Sequence, residues 1–233
     1  MRTIYMNHWS TTLTRVKDIK IVMPDVINEN TKVLLLLHGY CGDHNDWSNL
    51  GCAIKLAEEY QMVFVMPSAE NSYYLNIPNG DRFFDYISKE VVELTTRTFN
   101  LPDNWYIAGL SMGGYGALTI GLKTDKFKYI GAFSAPIDMK KWIKMSDHEN
   151  FPVVFKNGIY DDINLHKIID NYELKPMYLY CGTSDMFYDM NVSFVKKLKK
   201  RNANFIFETD SRGHVWSLWA DALVCYLKLI SKL

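Results

Sequence analysis

A serine flanked by glycines is the first chemically suggestive feature of this sequence. Ser111 lies within Gly109–Gly113 (GLSMG), between an apolar run and a helix-like run. In a G-x-S-x-G turn the serine adopts a strained conformation, and glycines two positions away avoid collision with neighbouring backbone. The turn lifts the hydroxyl to a helix N-terminus, which is where a nucleophile is needed. The alternative is a glycine-rich turn that contains an inert serine.

A serine hydroxyl requires a base before it attacks. Three histidines follow Ser111 in the chain: His148, His166 and His214. The first two fall in a long irregular stretch, whereas His214 stands in DSRGHVW, between the last predicted strand and the last predicted helix. We predict that His214 is the base; the alternative is a surface histidine at a helix start.

An acid is needed to orient that histidine, and in this type of site it lies between the serine and the histidine in sequence. Asp185 follows the apolar run MYLYCG by a few residues. We predict that its carboxylate accepts the Nδ1–H of His214, fixes the tautomer and stabilises the imidazolium. Asp189 is the nearest rival, and the alternative role for Asp185 is a helix N-cap.

Two backbone N–H groups are predicted to form an oxyanion hole. Met112 directly follows the serine at the helix N-terminus. Tyr40 follows Gly39 in LLLLHGYCGDHNDW, and its N–H would face the substrate carbonyl if the chain turns at that glycine. His38 precedes the predicted acid in sequence, so we expect it to stabilise the turn rather than act as the base.

Apolar runs of strand length alternate with amphipathic segments, and this alternation must position these groups. The predicted strands are 19–24, 33–39, 62–67, 105–111, 129–135, 177–182 and 204–210. The predicted helices are 47–60, 84–99, 112–124, 191–201 and 216–233.

The fold class that this order predicts is α/β, with a mostly parallel central sheet and helices on both faces. Several of the runs are continuously apolar, as strands buried on both faces are. Ligand sites in such sheets lie at the carboxyl ends of the strands. No repeat or linker interrupts the chain, so we expect one domain over residues 1–233.

Residues 137–176 interrupt the alternation of strands and helices, because a crossover helix alone needs far fewer residues. One interpretation is a cap or lid inserted over the strand ends. The other is a peripheral excursion that serves packing alone. The exposed apolar content of this stretch also suggests self-association into a homo-oligomer.

Composition excludes several other classes of function. The chain has 26 basic and 26 acidic residues, so no basic field is available for nucleic acid or an anionic membrane. We expect a cytoplasmic protein, because no apolar signal core or run of about 18 apolar residues is present. The four cysteines fit neither a zinc site nor a disulfide framework. Residues 231–233 (SKL) match a peroxisomal address, but the end of an amphipathic helix explains them as well.

Taken together, these motifs resemble the α/β-hydrolase superfamily, and in particular its esterase D branch. That branch includes tributyrin esterases, S-formylglutathione hydrolases and feruloyl or acetyl-xylan esterases. HGYCGDHNDW resembles its oxyanion loop, GLSMGGYGA its nucleophile turn, CGTSD its acid turn and GHVWSLW its histidine loop. The resemblance implies Ser111, Asp185 and His214 as the catalytic triad, with the N–H groups of Tyr40 and Met112 as the oxyanion hole.

The resemblance also extends to NSYYLNIPNG and the segment after it. It implies that Tyr73 and Tyr74 line the substrate pocket, although ordinary packing explains them nearly as well. Trp142, within residues 137–176, is expected in the same pocket.

The sequence therefore predicts a serine carboxylesterase that acts on small acyl esters without a metal or organic cofactor. Three alternatives stay open: acyl transfer to a sugar or alcohol, S-formylglutathione hydrolase-like thioester cleavage, and a non-catalytic binding protein on the same fold. The chain is shorter than typical S-formylglutathione hydrolases, which argues against glutathione thioesters.

Overall fold

A central β-sheet organises the molecule. The computed structural model describes residues 1–145, 154–155 and 161–233. The strands of the sheet are β1 Arg2–Ser10, β2 Arg15–Met23, β3 Val33–Leu37, β4 Val63–Pro67, β5 Trp105–Leu110, β6 Phe127–Phe133, β7 Met177–Tyr180 and β8 Phe205–Glu208. Their order across the sheet is β1-β2-β4-β3-β5-β6-β7-β8.

Strand directions confirm the prediction of a mostly parallel sheet. The β1–β2 and β2–β4 pairs are antiparallel, and all pairs from β4 through β8 are parallel. Every residue of β3, β4 and β5 is buried. Burial on both faces explains why VLLLL, VFVMP and WYIAGL are continuously apolar rather than alternating.

Helices cover both faces of the sheet. In the described part of the chain they are α1 Asp46–Asn49, α2 Ala53–Tyr60, α3 Phe83–Asp85, α4 Val92–Phe99, α5 Met112–Lys123, α6 Met139–Met145, α7 Leu165–Asn171, α8 Tyr188–Lys200 and α9 Trp216–Ile230. Buried side chains of α1, α2 and α9 form one core with one face of the sheet. Those of α3 through α8 form the core on the other face.

The structure departs from the sequence predictions at two places along the chain. The polar start was given no element, yet it forms β1, whose exposed and half-buried residues alternate because it is an edge strand. The predicted helix 84–99 is not uniform, since a π-helical segment, Tyr86–Val91, separates α3 from α4. The predicted helix 47–60 is also divided, into α1 and α2, and Cys52 between them has a φ of 56°.

The described part of the 137–176 stretch contributes α6, α7 and a short 3₁₀ helix, Asp161–Ile163. On α6, Trp142 donates a hydrogen bond from Nε1 to Tyr73 Oη at 3.0 Å. Buried side chains of α7 belong to the core beneath the sheet, and Tyr115 of α5 donates a hydrogen bond to the carbonyl of Ile163 just before α7. The lid interpretation depends on residues 146–153 and 156–160, which lie outside the described residues, so it stays a prediction.

The sheet order creates a crevice at its carboxyl edge. The chain passes from β3 to β4 on one side and then returns to place β5 on the other side of β3. The loops that follow β3 and β5 therefore diverge, as they do at the switch point where open α/β sheets bind ligands. Gly39 follows β3 and Ser111 follows β5, so both lie at this crevice.

Candidate active site

The turn between β5 and α5 holds Ser111 in a strained backbone conformation. Its φ is 50° and its ψ is −119°, a region that costs a non-glycine residue of the order of 1–3 kcal/mol. A Cβ at Gly109 would overlap the carbonyl of Gly113, and one at Gly113 would overlap the carbonyls of Leu37 and His38. These contacts confirm the prediction that both positions require glycine to avoid collision with neighbouring backbone. The Ser111 amide donates to the Phe133 carbonyl at 2.8 Å, which anchors the turn to β6.

Two side chains from separate loops form a hydrogen-bonded path to this serine. His214, in the loop between β8 and α9, has Nε2 3.0 Å from Ser111 Oγ. Its Nδ1 lies 2.8 Å from Asp185 Oδ2, in the loop after β7. With Nδ1–H directed to the carboxylate, Nε2 is the acceptor that faces the serine hydroxyl. The structure thus brings together the three residues that the sequence selected, and it leaves Asp189 exposed on α8.

The Asp185 carboxylate is held in its ionised form. Burial of its side chain acts to raise the pKa of Asp185, but the hydrogen bond with His214 opposes it. A further hydrogen bond reaches Oδ1 from the Phe187 amide at 2.9 Å. The net result is a pKa below the usual aspartate value. An ionised carboxylate at this position stabilises positive charge on the His214 ring.

Aromatic rings enclose the imidazole of His214. The Phe187 and Trp219 rings pack edge-to-face against it, with centroids 5.2 and 4.8 Å away. Neither residue was predicted from the sequence. The available signal was their spacing, because Phe187 follows the acid by two positions and Trp219 follows the histidine by five.

The loop after β3 is anchored from several sides. His38 is buried; its Nε2 accepts the Ala69 N–H at 2.9 Å and its Nδ1 lies 2.7 Å from the Gly39 carbonyl oxygen. Burial lowers the pKa of His38 to about 4, so the ring is neutral. The Tyr74 hydroxyl donates to the His38 carbonyl at 2.9 Å. His38 therefore stabilises the turn, as its position in the sequence suggested.

A cavity of about 440 Å³ opens above Ser111. Tyr40 and Met112 lie in its wall, and so do His214, Tyr73 and Trp142. Tyr40 and Met112 therefore flank the serine from the loop after β3 and from the start of α5. Phe187, Trp216 and Trp219 make the remainder largely apolar.

Tyr74 corrects one of the pocket predictions. The residue is fully buried away from the cavity, and its ring occupies the space that a Cβ at Gly116 would need. Its hydroxyl holds the β3 loop from behind, as described above. Tyr73, in contrast, lines the cavity as predicted. For adjacent residues on an irregular loop, the sequence alone does not show which one lines a cavity and which one packs in the core.

Comparison with known proteins places this site in a family. Residues 10–228 match the model of the esterase family, whose description is "Putative esterase". The chain belongs to this family. The prediction of a carboxylic ester hydrolase is thereby confirmed, and its substrates are small-molecule esters.

Individual relatives of this esterase agree with that membership. An acetyl esterase of Caldicellulosiruptor saccharolyticus is 28% identical over 263 residues, covering 100% of this chain and 99% of that protein. The fold is shared with the fluorophosphonate-binding serine hydrolase F of Staphylococcus aureus, at a TM-score of 0.90 and 23% identity over 99% of this chain and 98% of the other. An S-formylglutathione hydrolase of Staphylococcus aureus has a TM-score of 0.89 and 24% identity over 99% and 98% of the two chains.

Thioester cleavage stays an alternative prediction for this esterase, whose alignment covers 98% of that S-formylglutathione hydrolase. No helix among residues 1–145, 154–155 and 161–233 is long and apolar enough to cross a membrane. The cytoplasmic location and the homo-oligomer stay predictions.

Proposed function

We propose that this esterase is a serine carboxylesterase in which Ser111, His214 and Asp185 form the catalytic triad. The observation that carries the proposal is the continuous hydrogen-bonded path from Asp185 through His214 to Ser111, with distances of 2.8 and 3.0 Å. Nucleophile, base and orienting acid lie within the range that serine hydrolysis requires. The family membership supports the same reaction class.

Hydrolysis proceeds in two halves on this arrangement. The Ser111 hydroxyl attacks the ester carbonyl carbon while His214 Nε2 takes its proton, and the tetrahedral intermediate then collapses. The alcohol leaves with the proton that His214 returns to it, and the acyl group stays on Ser111 as an ester. Water next attacks this acyl-enzyme, with His214 again as base, and the acid is released. Asp185 keeps its negative charge throughout and stabilises the imidazolium.

Backbone N–H groups are assigned the role of binding the developing oxyanion. Met112 is the first residue of α5, where the amides and the helix dipole favour negative charge. The loop that carries Tyr40 passes against the serine, since a Cβ added at Gly39 would lie 3.8 Å from Ser111 Cβ. Such a pair of donors stabilises the transition state more than the ground state.

The acyl group is assigned to the apolar part of the cavity over Ser111. Tyr73 and Trp142 close it on one side through their hydrogen bond, and Trp142 packs edge-to-face on Phe187 with centroids 4.7 Å apart. Because these rings close one side of the cavity, the space beside Ser111 favours short acyl chains over long ones. The acetyl esterase relative agrees with this size class.

The test is the Ser111→Ala protein. We expect hydrolysis of p-nitrophenyl acetate to fall by at least about 10⁴-fold, because no other nucleophile replaces the serine. Labelling by a fluorophosphonate probe disappears in the same variant. Steady-state kinetics and gel fluorescence measure the two effects, and circular dichroism shows that the fold is kept.

Ser193→Ala provides the matched control, because Ser193 is exposed on α8 and its loss should change neither readout. A folded Ser111→Ala protein that still hydrolyses the ester would contradict the proposal. Adding an alcohol acceptor to the wild-type assay separates hydrolysis from acyl transfer: transfer predicts a new ester product in place of free acid.

A further inference from the structure

A buried amide lies behind the loop that carries Asp185, here called the acid loop. Asn191 stands in the first turn of α8, and its side chain is fully buried. Its Nδ2 donates one hydrogen bond to the Ala135 carbonyl and one to the Phe187 carbonyl, both at 2.9 Å. Ala135 follows β6, and Phe187 follows the acid by two residues. This pair of hydrogen bonds, the Asn191 clamp, therefore joins the segment after β6 to the acid loop.

We propose that Asn191 is a positioning residue of the active site, because its clamp holds the acid loop in place and so aligns Asp185 with His214. The inference rests on the proposed function, since it assumes that Ser111, Asp185 and His214 form the triad. Asn191 has no exposed surface and is not among the described residues that line the cavity over Ser111. Its role is therefore exerted through Asp185 and not through contact with the substrate.

On one side, the clamp holds the residue that contacts both the acid and the base. Phe187 donates its amide N–H to Asp185 Oδ1 at 2.9 Å, and its ring packs edge-to-face on the His214 imidazole. Asn191 holds the carbonyl of the same residue. A shift of Phe187 would therefore move a hydrogen-bond donor of the acid and a packing partner of the base together.

On the other side, the clamp holds a segment that is fixed relative to the nucleophile. The Ser111 amide donates to the carbonyl of Phe133, which precedes Ala135 by two residues. A Cβ added at Gly114, in the first turn of α5, would lie 3.1 Å from the Ala135 Cβ. The segment after β6 thus packs against the helix that begins at the nucleophile, and the clamp sets the acid loop relative to this segment.

The two carbonyls also determine which way the amide of Asn191 faces. A reversed amide would set its oxygen against two carbonyl oxygens, which donate no proton. In the observed orientation Oδ1 is buried, and no donor in the described part of the chain reaches it. An unpaired buried oxygen costs stability, so packing alone would favour an apolar residue at this position.

Both carbonyls keep a backbone donor when the amide is removed. The Ile137 N–H donates to the Ala135 carbonyl at 2.9 Å, and the Asn191 N–H donates to the Phe187 carbonyl at 3.0 Å. Asn191→Leu therefore leaves neither carbonyl without a partner, and it also removes the unpaired Oδ1. We expect this variant to keep the fold while the acid loop loses its link to the segment after β6.

The experiment measures kcat and KM for p-nitrophenyl acetate. Asn191→Leu should lower kcat about tenfold and change KM by less than about twofold, because the carboxylate is misaligned while the cavity wall is kept. Asn191→Ala removes the same amide without requiring extra space, and we expect the same loss of kcat.

Tyr226→Phe is the matched control for these variants. The Tyr226 hydroxyl is also fully buried, and it lies 3.2 and 2.8 Å from the carbonyls of Ile107 and Tyr129, in the core on the other face of the sheet. Its loss removes a buried donor to two carbonyls away from the acid loop, so kcat and KM should stay unchanged.

Two further measurements separate positioning from loss of stability. In the Asp185→Asn protein, adding Asn191→Leu should lower kcat by less than about twofold, because no carboxylate remains to be aligned. In proton NMR spectra, the signal of the His214 Nδ1–H should shift in Asn191→Leu and stay in place in Tyr226→Phe, because this proton lies in the hydrogen bond to Asp185.

Three results would each overturn the positioning role of Asn191. They are wild-type kcat in both Asn191 variants, an unshifted His214 signal in Asn191→Leu, and a tenfold loss of kcat that persists in the Asp185→Asn protein. Failure of the proposed function is distinct from all three, since the Ser111→Ala protein would then itself hydrolyse the ester.

Discussion

Two histidines lie at the carboxyl edge of the sheet. They have the same tautomer but differ in burial and in the group that contacts Nε2. His38 follows β3, is fully buried, and accepts a hydrogen bond from a backbone amide at Ala69. His214 follows β8, is partly exposed, and faces the Ser111 hydroxyl. Both rings have Nδ1 against an oxygen acceptor and Nε2 as the lone-pair nitrogen.

The partners of Nε2 determine what each ring can do. Protonating His38 would set an Nε2–H against the Ala69 N–H, two donors with no acceptor between them. A proton on Nε2 of His214 would instead leave Nδ1–H on a carboxylate and place Nε2–H beside the serine oxygen. The surroundings of His38 therefore disfavour a second ring proton, whereas those of His214 suit the base that we propose. What distinguishes the two histidines is the hydroxyl and the carboxylate that meet His214.

The largest loss of activity is expected when the imidazole of His214 is removed. His214→Ala should lower kcat/KM for p-nitrophenyl acetate by at least about 10⁴-fold while the protein still unfolds cooperatively. Steady-state kinetics and thermal unfolding provide the two measurements. A His214→Ala protein with near wild-type kcat/KM would remove the distinction between the two histidines.

Removing the charge behind His214 should have the next largest effect. Asp185→Asn should lower kcat about 10³- to 10⁴-fold, because an amide supports neither the correct tautomer nor the imidazolium. Asp189→Asn is the matched control, since Asp189 is exposed on α8 and should leave kcat unchanged. Equal losses in the two variants would mean that the carboxylate at 2.8 Å has no special role.

His38 should affect stability rather than chemistry. Its pKa is about 4 in the folded protein against an ordinary value of 6.5, because burial disfavours the cation. Between these pH values the unfolded chain binds a proton that the folded chain does not, so stability is full above about pH 6.5 and falls as the pH decreases toward 4. A difference of this size corresponds to about 3 kcal/mol of unfolding free energy.

His38→Gln should remove that part of the pH dependence, because glutamine does not titrate. Urea unfolding at pH 7, 5.5 and 4 measures it. An identical acid-induced loss in wild type and His38→Gln would show that other groups cause it.

The smallest expected effect comes from a ring that positions His214. Trp219→Leu keeps an apolar side chain but removes the edge-to-face contact with the imidazole. We expect kcat to fall threefold to tenfold, in line with an aromatic contact of about 0.5–1.5 kcal/mol, with KM for p-nitrophenyl acetate also altered because Trp219 lines the cavity. Trp9→Leu, on the exposed edge strand β1, is the control and should change neither constant.

Short-range patterns made much of this molecule predictable. The G-x-S-x-G spacing forces one backbone geometry, so Ser111 was identifiable from five residues. Asp185 and His214 followed from chain order and from the ends of strongly apolar strands. Buried parallel strands have an unmistakable composition, which is why β3 through β7 were predicted to within two residues at either end.

What could not be predicted depends on long-range packing. Edge strand β1 has a polar sequence because only one of its faces meets the core, so it lacks the continuous apolar signal of its neighbours. Tyr73 and Tyr74 are identical in type and adjacent in sequence, yet one lines the cavity and the other supports the β3 loop. Phe187 and Trp219 were missed because their role appears only when three loops come together.

The separation of Ser111 and His214 along the chain has a consequence for the order of folding. Ser111 and His214 are separated by 103 positions, and the strand before His214 is the last of the sheet. Contacts of such long range form late in folding, because loop-closure entropy must be overcome first. The Ser111–His214 pair cannot form before β8 has joined β7 at the sheet edge. During refolding, ester hydrolysis should therefore return after most of the helical signal, so activity measures completion of the sheet.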